Sequence, residues 1–322
     1  MHVTIQDLSV VYPSGTRALN GISLEFGNGT LGLLGPNGAG KSTMMKVLAT
    51  LLAPTSGRVQ ADGVDILADR GHVRERLGYL PQEFGAWKKL KAWELVDLGA
   101  RQHGLAGKER ASRVDDALQR TGLAAVRDRK VHKLSGGMVR RLGIATAIVG
   151  QPDLLIVDEP TTGLDPEERI RFRQLLQDIG GGATVILSTH IVADLAGSCE
   201  DLVVLDKGNL LFRGHPRDLL QKAHGKTWEL EVPAAQAGQA AEAMEGRPVL
   251  ATTTRGDKAV LRTVGERPAG GTVREIEPSL EDAYVWLLAH EGSGWPDEEA
   301  ATLLVAQEAA GAAGAAPAGK EA

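Results

Sequence analysis

The chain has 322 residues, 43% hydrophobic and 24% charged, with a formal net charge of −5. That length suits a main domain plus a smaller one, and the apolar content excludes wholesale disorder. Mild acidity gives no support for a dedicated nucleic-acid binder, and the single cysteine, Cys199, excludes an internal disulfide framework and fits a reducing compartment.

Residues 2–12 are rich in Val and Leu and stop at Pro13-Ser14-Gly15, and residues 22–26 alternate before Gly27-Asn28-Gly29. Both read as strands of a hairpin or edge sheet. A third apolar run, 31–34, leads into a Gly-rich loop and then a helical pattern with Met44, Val47, Leu48 and Leu51 on one face. Helical signals dominate 83–149, with residues 110–123 amphipathic and Val114, Leu118 and Leu123 inward. Compact strand runs return at 154–157, 184–188 and 202–205, as in a buried, mostly parallel sheet. A boundary falls near residues 223–226. Beyond it come a strand at 228–232, an Ala-rich helix to Met244, strands near 249–253 and 259–264, and a last helix. That helix opens on Ser279-Leu280-Glu281-Asp282, a capping-box pattern, and buries Tyr284, Leu287 and Leu288. The Ala-rich stretch 292–322 is expected to be disordered. No apolar run approaches the roughly 18–20 residues that a bilayer span needs. The first seven residues lack the basic-then-apolar layout of a signal peptide. A soluble chain, or one held to a membrane through a partner, is expected.

Gly35-Pro36-Asn37-Gly38-Ala39-Gly40-Lys41-Ser42 fits G-x-x-x-x-G-K-[ST] between a strand and a helix. The glycines let main-chain N–H groups wrap a phosphate, and the helix start adds its positive end. Lys41 suits the β- and γ-phosphates, Ser42 can ligate Mg²⁺, and Thr43 can bond a phosphate oxygen. An incidental Gly-rich turn is the bland alternative, and the strand-loop-helix context weighs against it. The run 154–157 ends in Asp158-Glu159. An acid at a buried strand's carboxyl end is where a nucleotide site needs its metal ligand, which suits Asp158; Glu159 then stands where a carboxylate can take a proton from water. His190 follows the run 184–188 and can sense a γ-phosphate, or serve as a structural hydrogen-bonding residue. Leu134-Ser135-Gly136-Gly137-Met138 opens a helix with Met138, Leu142, Ala145 and Val149 on one face, and Ser135 is a good N-cap. It is a second phosphate-seeking helix start, where one triphosphate needs only one, which suggests docking on nucleotide held by another copy.

Over residues 2–220 the sequence resembles the ATP-binding subunit of ABC transporters, with motifs in the family's order. Residues 35–43 look like Walker A, and Gln82 in Tyr79-Leu80-Pro81-Gln82 matches the Q-loop. Residues 134–138 match the signature, 154–159 Walker B, Gly163-Leu164-Asp165 the D-loop, and His190 the switch histidine. Tyr12 sits where the family stacks an aromatic ring on adenine. The resemblance implies an α/β fold: a P-loop NTPase core with an antiparallel β-subdomain and a helical subdomain near 83–150, spanning 1–223. A small C-terminal α+β domain, 224–291, and the tail, 292–322, would follow.

It also implies ATP hydrolysis with Mg²⁺ in a head-to-tail dimer, either a homodimer or a heterodimer with a paralogue. Ser135, Gly136 and Gly137 would stabilise the γ-phosphate in trans. Gln82 would couple Mg²⁺ and the attacking water to the helical subdomain, and Asp165 would communicate across the dimer. Met138 departs from the family's usual Gln and loses a polar contact. The Gly-Gly-Met ending, Arg140-Arg141 and the C-terminal domain resemble the branch whose partners export drugs, antibiotics or lipids. The implied partner is a separately encoded membrane permease, with this chain at the cytoplasmic face and no nucleic acid involved. A non-transport ATPase and an importer subunit are the alternatives. Trp87 and Trp93, with Lys88, Lys89 and Lys91, are either a permease-docking surface or rings packed in the helical subdomain. Cys199 is expected as a buried small hydrophobe, Arg169, Arg171 and Arg173 as a solvated helix face, and Trp228 and Trp286 as core.

Overall fold

The computed structural model describes residues 1–292 and 294, apart from 86, 162–163, 196 and 245–246. It divides into two compact units: Met1–His190 with Asp194–Arg213, and Ile191–Ala193 with the residues from Gly214 on.

The first unit opens with β1 (Val3–Val11) and β2 (Arg17–Phe26), an antiparallel pair. β3 (Gly29–Leu34) leads through the Gly-rich loop into α1 (Lys41–Leu48). Then come β4 (Ser56–Ala61), β5 (Val64–Asp65), α2 (Arg70–Glu75) and β6 (Leu77–Leu80). Three helices fill the middle: α3 (Ala92–Gln102), α4 (Gly107–Arg120) and α5 (Gly136–Ile148). β7 (Leu154–Asp158), α6 (Pro166–Gly180), β8 (Thr184–Thr189), α7 (Val192–Leu195), β9 (Asp201–Asp206) and β10 (Asn209–Gly214) follow.

One antiparallel sheet runs β2-β1-β4-β5; a six-stranded sheet runs β10-β9-β3-β8-β7-β6, with its last five strands parallel. Every residue of β7 and β8 is buried, as continuous apolar runs in a covered parallel sheet should be. Val3, Ile5 and Leu8 share one core with Leu31, Leu33, Ile156 and the α1 residues Met44 and Met45. Leu51 departs from its expected place on the α1 face. The helix stops at Leu48, and Leu51 lies in the following turn, 60% exposed.

The helices α3, α4 and α5 pack on one another, with Val114, Leu118 and Leu123 buried as the periodicity requires. α5 also lies against β6. A side chain at Gly143 would place its Cβ 2.5 Å from Leu80 Cδ1, so this close approach needs glycine. β6 escapes pattern reading because it is four residues long and includes Gly78, whose own Cβ would meet the Ala147 carbonyl at 2.4 Å.

The second unit holds α8 (Pro216–Ala223), β11 (Thr227–Pro233), α9 (Ala237–Glu242), β12 (Val249–Arg255), β13 (Lys258–Val264), β14 (Thr272–Glu275) and α10 (Leu280–His290). Its sheet is antiparallel in the order β12-β13-β11-β14. Leu230, Val232, Met244, Ala259 and Leu261 form its core. α8 packs on α10 and so belongs here, although it lies within the 1–223 span expected for the first domain. Ser279 and Asp282 make the expected capping box, and Asp282, 1% exposed, takes two bonds from Arg262. Trp286 is buried as expected, whereas Trp228 is half-buried, with Nε1 donating to the Gly265 carbonyl. The Ala-rich stretch lies outside the described residues, Gly292 and Gly294 excepted.

Candidate active site

The parallel strands bring the motifs to one edge. Leu34 pairs with Thr189, Asp158 with Ser188, and Leu80 with Val157, so β3, β8, β7 and β6 end nearly level. Ligands of open α/β sheets bind beyond such carboxyl ends.

From β3 the chain enters residues 35–40. Gly35, Ala39 and Gly40 are buried, Pro36 half-buried, and Asn37 and Gly38 exposed at the tip. Gly40 caps α1 at φ +105°, and a Cβ there would meet the Ala18 carbonyl at 2.4 Å. Neither a side-chain cap nor an acid neutralises the first turn of α1, so its N–H groups and positive end remain available to an anion. Lys41 is 5% exposed, and Nζ donates to the Gly35 carbonyl (2.6 Å) and the Pro36 carbonyl (3.0 Å). Burial pushes its ammonium below the ordinary lysine value, while the Glu159 and Asp158 carboxylates push back. Ser42 is half-buried. Thr43 Oγ1 lies 3.0 Å from the Tyr12 hydroxyl, which brings Tyr12 to the cradle.

Glu159 is where three segments meet. Gln82 Nε2 donates to Glu159 Oε2 at 3.0 Å, and His190 Nδ1 stands 3.3 Å from Glu159 Oε1. The Glu159 N–H donates to the Ser188 carbonyl (3.2 Å) and to Ser188 Oγ (3.1 Å). Ser188 Oγ donates in turn to Asp158 Oδ1 at 2.5 Å. Glu159 sits at φ +44°, in the left-handed region that a non-glycine residue occupies only when its surroundings hold it there.

The structure adds two residues that motif reading passed over. Ser188 bridges both acids, a role visible only once β7 and β8 are in register. Arg140 holds the carbonyls of Pro81, Gln82, Glu159 and Pro160. Its only sequence signal was the Arg140-Arg141 pair after the signature.

Ser135, Gly136 and Gly137 make no hydrogen bond to the cradle among the described contacts. Ser135 Oγ accepts from the Met138 N–H, as an N-cap should, and the Glu168 side chain lies against Gly137. Arg141 joins Glu168 through Nε (3.1 Å) and Nη2 (3.2 Å), tying α5 to α6. Asp165 caps α6 by accepting from the Glu168 N–H, and is exposed. Gly163 lies outside the described residues. Beside Gln82 a cleft of about 660 Å³ is lined by Phe84, Lys88, His132, Gly136 and Arg140 among others. Trp87 is 59% exposed, while Trp93 is half-buried on α3, so the two indoles divide between the alternatives. Cys199 is buried and its thiol is pushed up to about 11 by burial, as an inert small hydrophobe should be. Only Arg171 of the three α6 arginines is exposed. Arg169 donates to the Leu164 carbonyl, and Arg173 Nε is buried, so the expected solvated face is reduced to one residue.

The donor set suits a nucleoside triphosphate. Among the described residues no group of three or more His, Cys, Asp or Glu is arranged to hold a metal ion. One carboxylate (Asp158), one hydroxyl (Ser42) and one amide (Gln82) fit Mg²⁺, a hard ion that ordinarily completes its shell with water and phosphate oxygens.

Comparison with known proteins agrees. Residues 19–162 match the ABC transporter family. A daunorubicin resistance ATP-binding protein of Streptomyces coeruleorubidus is 35% identical over 247 residues, covering 76% of this chain and 78% of that protein. A daunorubicin/doxorubicin resistance ATP-binding protein of Streptomyces peucetius is 32% identical over 306 residues, covering 89% and 93%. Among solved structures, the dimeric post-hydrolysis state of an ATP-binding cassette with ADP and Pi superposes with a TM-score of 0.61. It is 27% identical and covers 66% of this chain and 98% of that one.

Proposed function

The chain belongs to the ABC transporter family as an ATP-binding, ATP-hydrolysing component, and from that membership we propose that it energises a separately encoded membrane permease for export. The two Streptomyces relatives are named for daunorubicin and doxorubicin resistance, which favours export of a drug or antibiotic over import, with a lipid-like cargo the remaining member of the proposed class. The carrying observation is the convergence of Gln82 and His190 on the two oxygens of Glu159.

In this reading the loop N–H groups and Lys41 bind the β- and γ-phosphates, and Tyr12 meets the adenine. Ser42 and Asp158, with Gln82 nearby, would hold Mg²⁺, which would neutralise phosphate charge when bound. Water adds to the γ-phosphorus, the bond to ADP breaks, and the water's proton goes to the Glu159 carboxylate. His190 bears on Glu159 and reads the γ-phosphate. Gln82 carries movement of the helical segment to Glu159.

A second copy, or a paralogue, would present Ser135, Gly136 and Gly137 to the γ-phosphate, with Asp165 reporting across the dimer. Met138 leaves the main-chain donors in place. Exposed Trp87, with Lys88 and Lys89, is the surface proposed to receive the permease at the cytoplasmic face of the membrane. Among the described residues no helix is long and apolar enough to cross a membrane.

Glu159→Gln tests the assignment. It should leave ATP binding intact, abolish turnover and trap an ATP-bound dimer, seen as a doubling of mass in analytical ultracentrifugation. Near-normal turnover would sink the general-base role.

A further inference from the structure

Arg140 lies in the second turn of α5, two residues past Met138, and its guanidinium addresses four main-chain carbonyls on two separate segments. Nη1 donates to Pro81 (3.2 Å) and Gln82 (2.5 Å), Nη2 to Glu159 (2.6 Å) and Nε to Pro160 (3.2 Å). We propose that Arg140 is a positioning residue for ATP hydrolysis, locking the Gln82 segment against the Glu159 segment so that both side chains stay aimed at one point. The proposal rests on the roles given above to Glu159 and Gln82.

Three observations carry it. The chain leaves the sheet at Leu80 and at Asp158, and the carbonyls of the residues that follow on both segments accept from one rigid five-donor fork, which can satisfy several at once. Glu159 holds a left-handed backbone. Its N–H is fixed by Ser188 and its C=O by Arg140, so the peptide groups on both sides of the residue are pinned. Finally, the Gln82–Glu159 side-chain bond lies between the two segments that Arg140 joins, so slippage of either would misaim it. None of the four bonds goes to a side chain of the site, so Arg140 acts through Gln82 and Glu159. α5 is kept on β6 separately, by the close contact at Gly143.

The test uses the full chain with Arg140→Met and Arg140→Lys. Measured together are kcat, KM, equilibrium ATP affinity, thermal midpoint, and amide hydrogen exchange over 81–85 and 159–161. In Arg140→Met, kcat should fall about 10- to 100-fold, the size expected for a misplaced catalytic group. ATP affinity should stay within about threefold, because the cradle is untouched. Arg140→Lys should not restore kcat, since an ammonium keeps the charge without the fork. Exchange should rise in both segments in both variants.

The proposal is overturned if Arg140→Lys turns over at the wild-type rate, or if ATP affinity falls in parallel with kcat. If Arg140→Met does not fold, Arg140→Lys decides alone. Glu159→Gln, run alongside, separates the two readings. Turnover surviving there removes the general-base role, and Arg140 is then judged by exchange at 81–85 and 159–161 in Arg140→Lys, which must rise for the proposal to stand.

Discussion

Lys41 is a cation buried beside the Asp158 and Glu159 carboxylates, with two loop carbonyls on its Nζ. Desolvation disfavours its charge, the two acids restore it, and a bound triphosphate would add far more negative charge nearby. Lys41→Ala should therefore weaken ATP binding about 10- to 100-fold, the range of one or two lost charge-assisted bonds, by equilibrium titration with a fluorescent nucleotide. Unchanged affinity would refute the phosphate role. At the same scale, Asp158, Glu159 and His190 were legible because a titratable group at the end of an apolar run is conspicuous. Ser188 and Arg140 were not, because serine and arginine gain meaning only from what they face. Leu51 shows the converse: the helical period of the sequence runs on past Leu48, where the chain has already turned away into solvent.

Among elements, α5 serves two ends. Its N-terminus is the Ser135-capped, glycine-flanked start that is proposed to face another copy's nucleotide, and its second turn carries Arg140 to the near site. Ser135→Arg would place a long cationic side chain at that start while leaving the cradle intact. It should block dimerisation and hydrolysis while each monomer binds ATP with wild-type affinity, a split that titration and steady-state turnover resolve. Persisting turnover would show the trans arrangement to be wrong. The long apolar strands β3, β7, β8 and β9 were readable from composition, since a parallel strand covered on both faces must be apolar throughout. β4, β6, β10 and β14 were not, being short, half-exposed or glycine-interrupted, and held by their neighbours instead of by their own pattern.

For the molecule as a whole, the two units each hold a core of their own among the described residues, as two folding units should. One joins both sheets of the first unit through α1, and the other lies under α9 in the second. In the second unit Asp282 is almost wholly buried, bonded by Arg262, and closes the Ser279 cap. Asp282→Ala removes two bonds from Arg262 and opens the Ser279 cap, and should cost the second unit about 3 kcal/mol, the scale of losing a buried charged partner. Differential scanning calorimetry should show one transition move down while ATP affinity of the first unit is unchanged. A single transition shifting together with ATP binding would mean the units do not fold separately.

Among the described residues no helix is long and apolar enough to cross a membrane. In the proposed function a partner chain supplies the membrane passage. In the sequence the ordered motifs carry the resemblance to the family, the Gly-rich loop points to nucleotide chemistry, and length with apolar runs points to a second, smaller domain. The last two follow from local composition, because phosphate needs glycine and lysine, and buried strands need Val, Ile and Leu. Tertiary structure alone decided that Gln82 and His190, more than a hundred residues apart in sequence, converge on the Glu159 carboxylate. It also decided that Arg140 braces them, and that α8 joins the second unit. Those facts depend on strand order and register, where β8 lies between β3 and β7, and a linear pattern carries no record of which strand ends lie side by side.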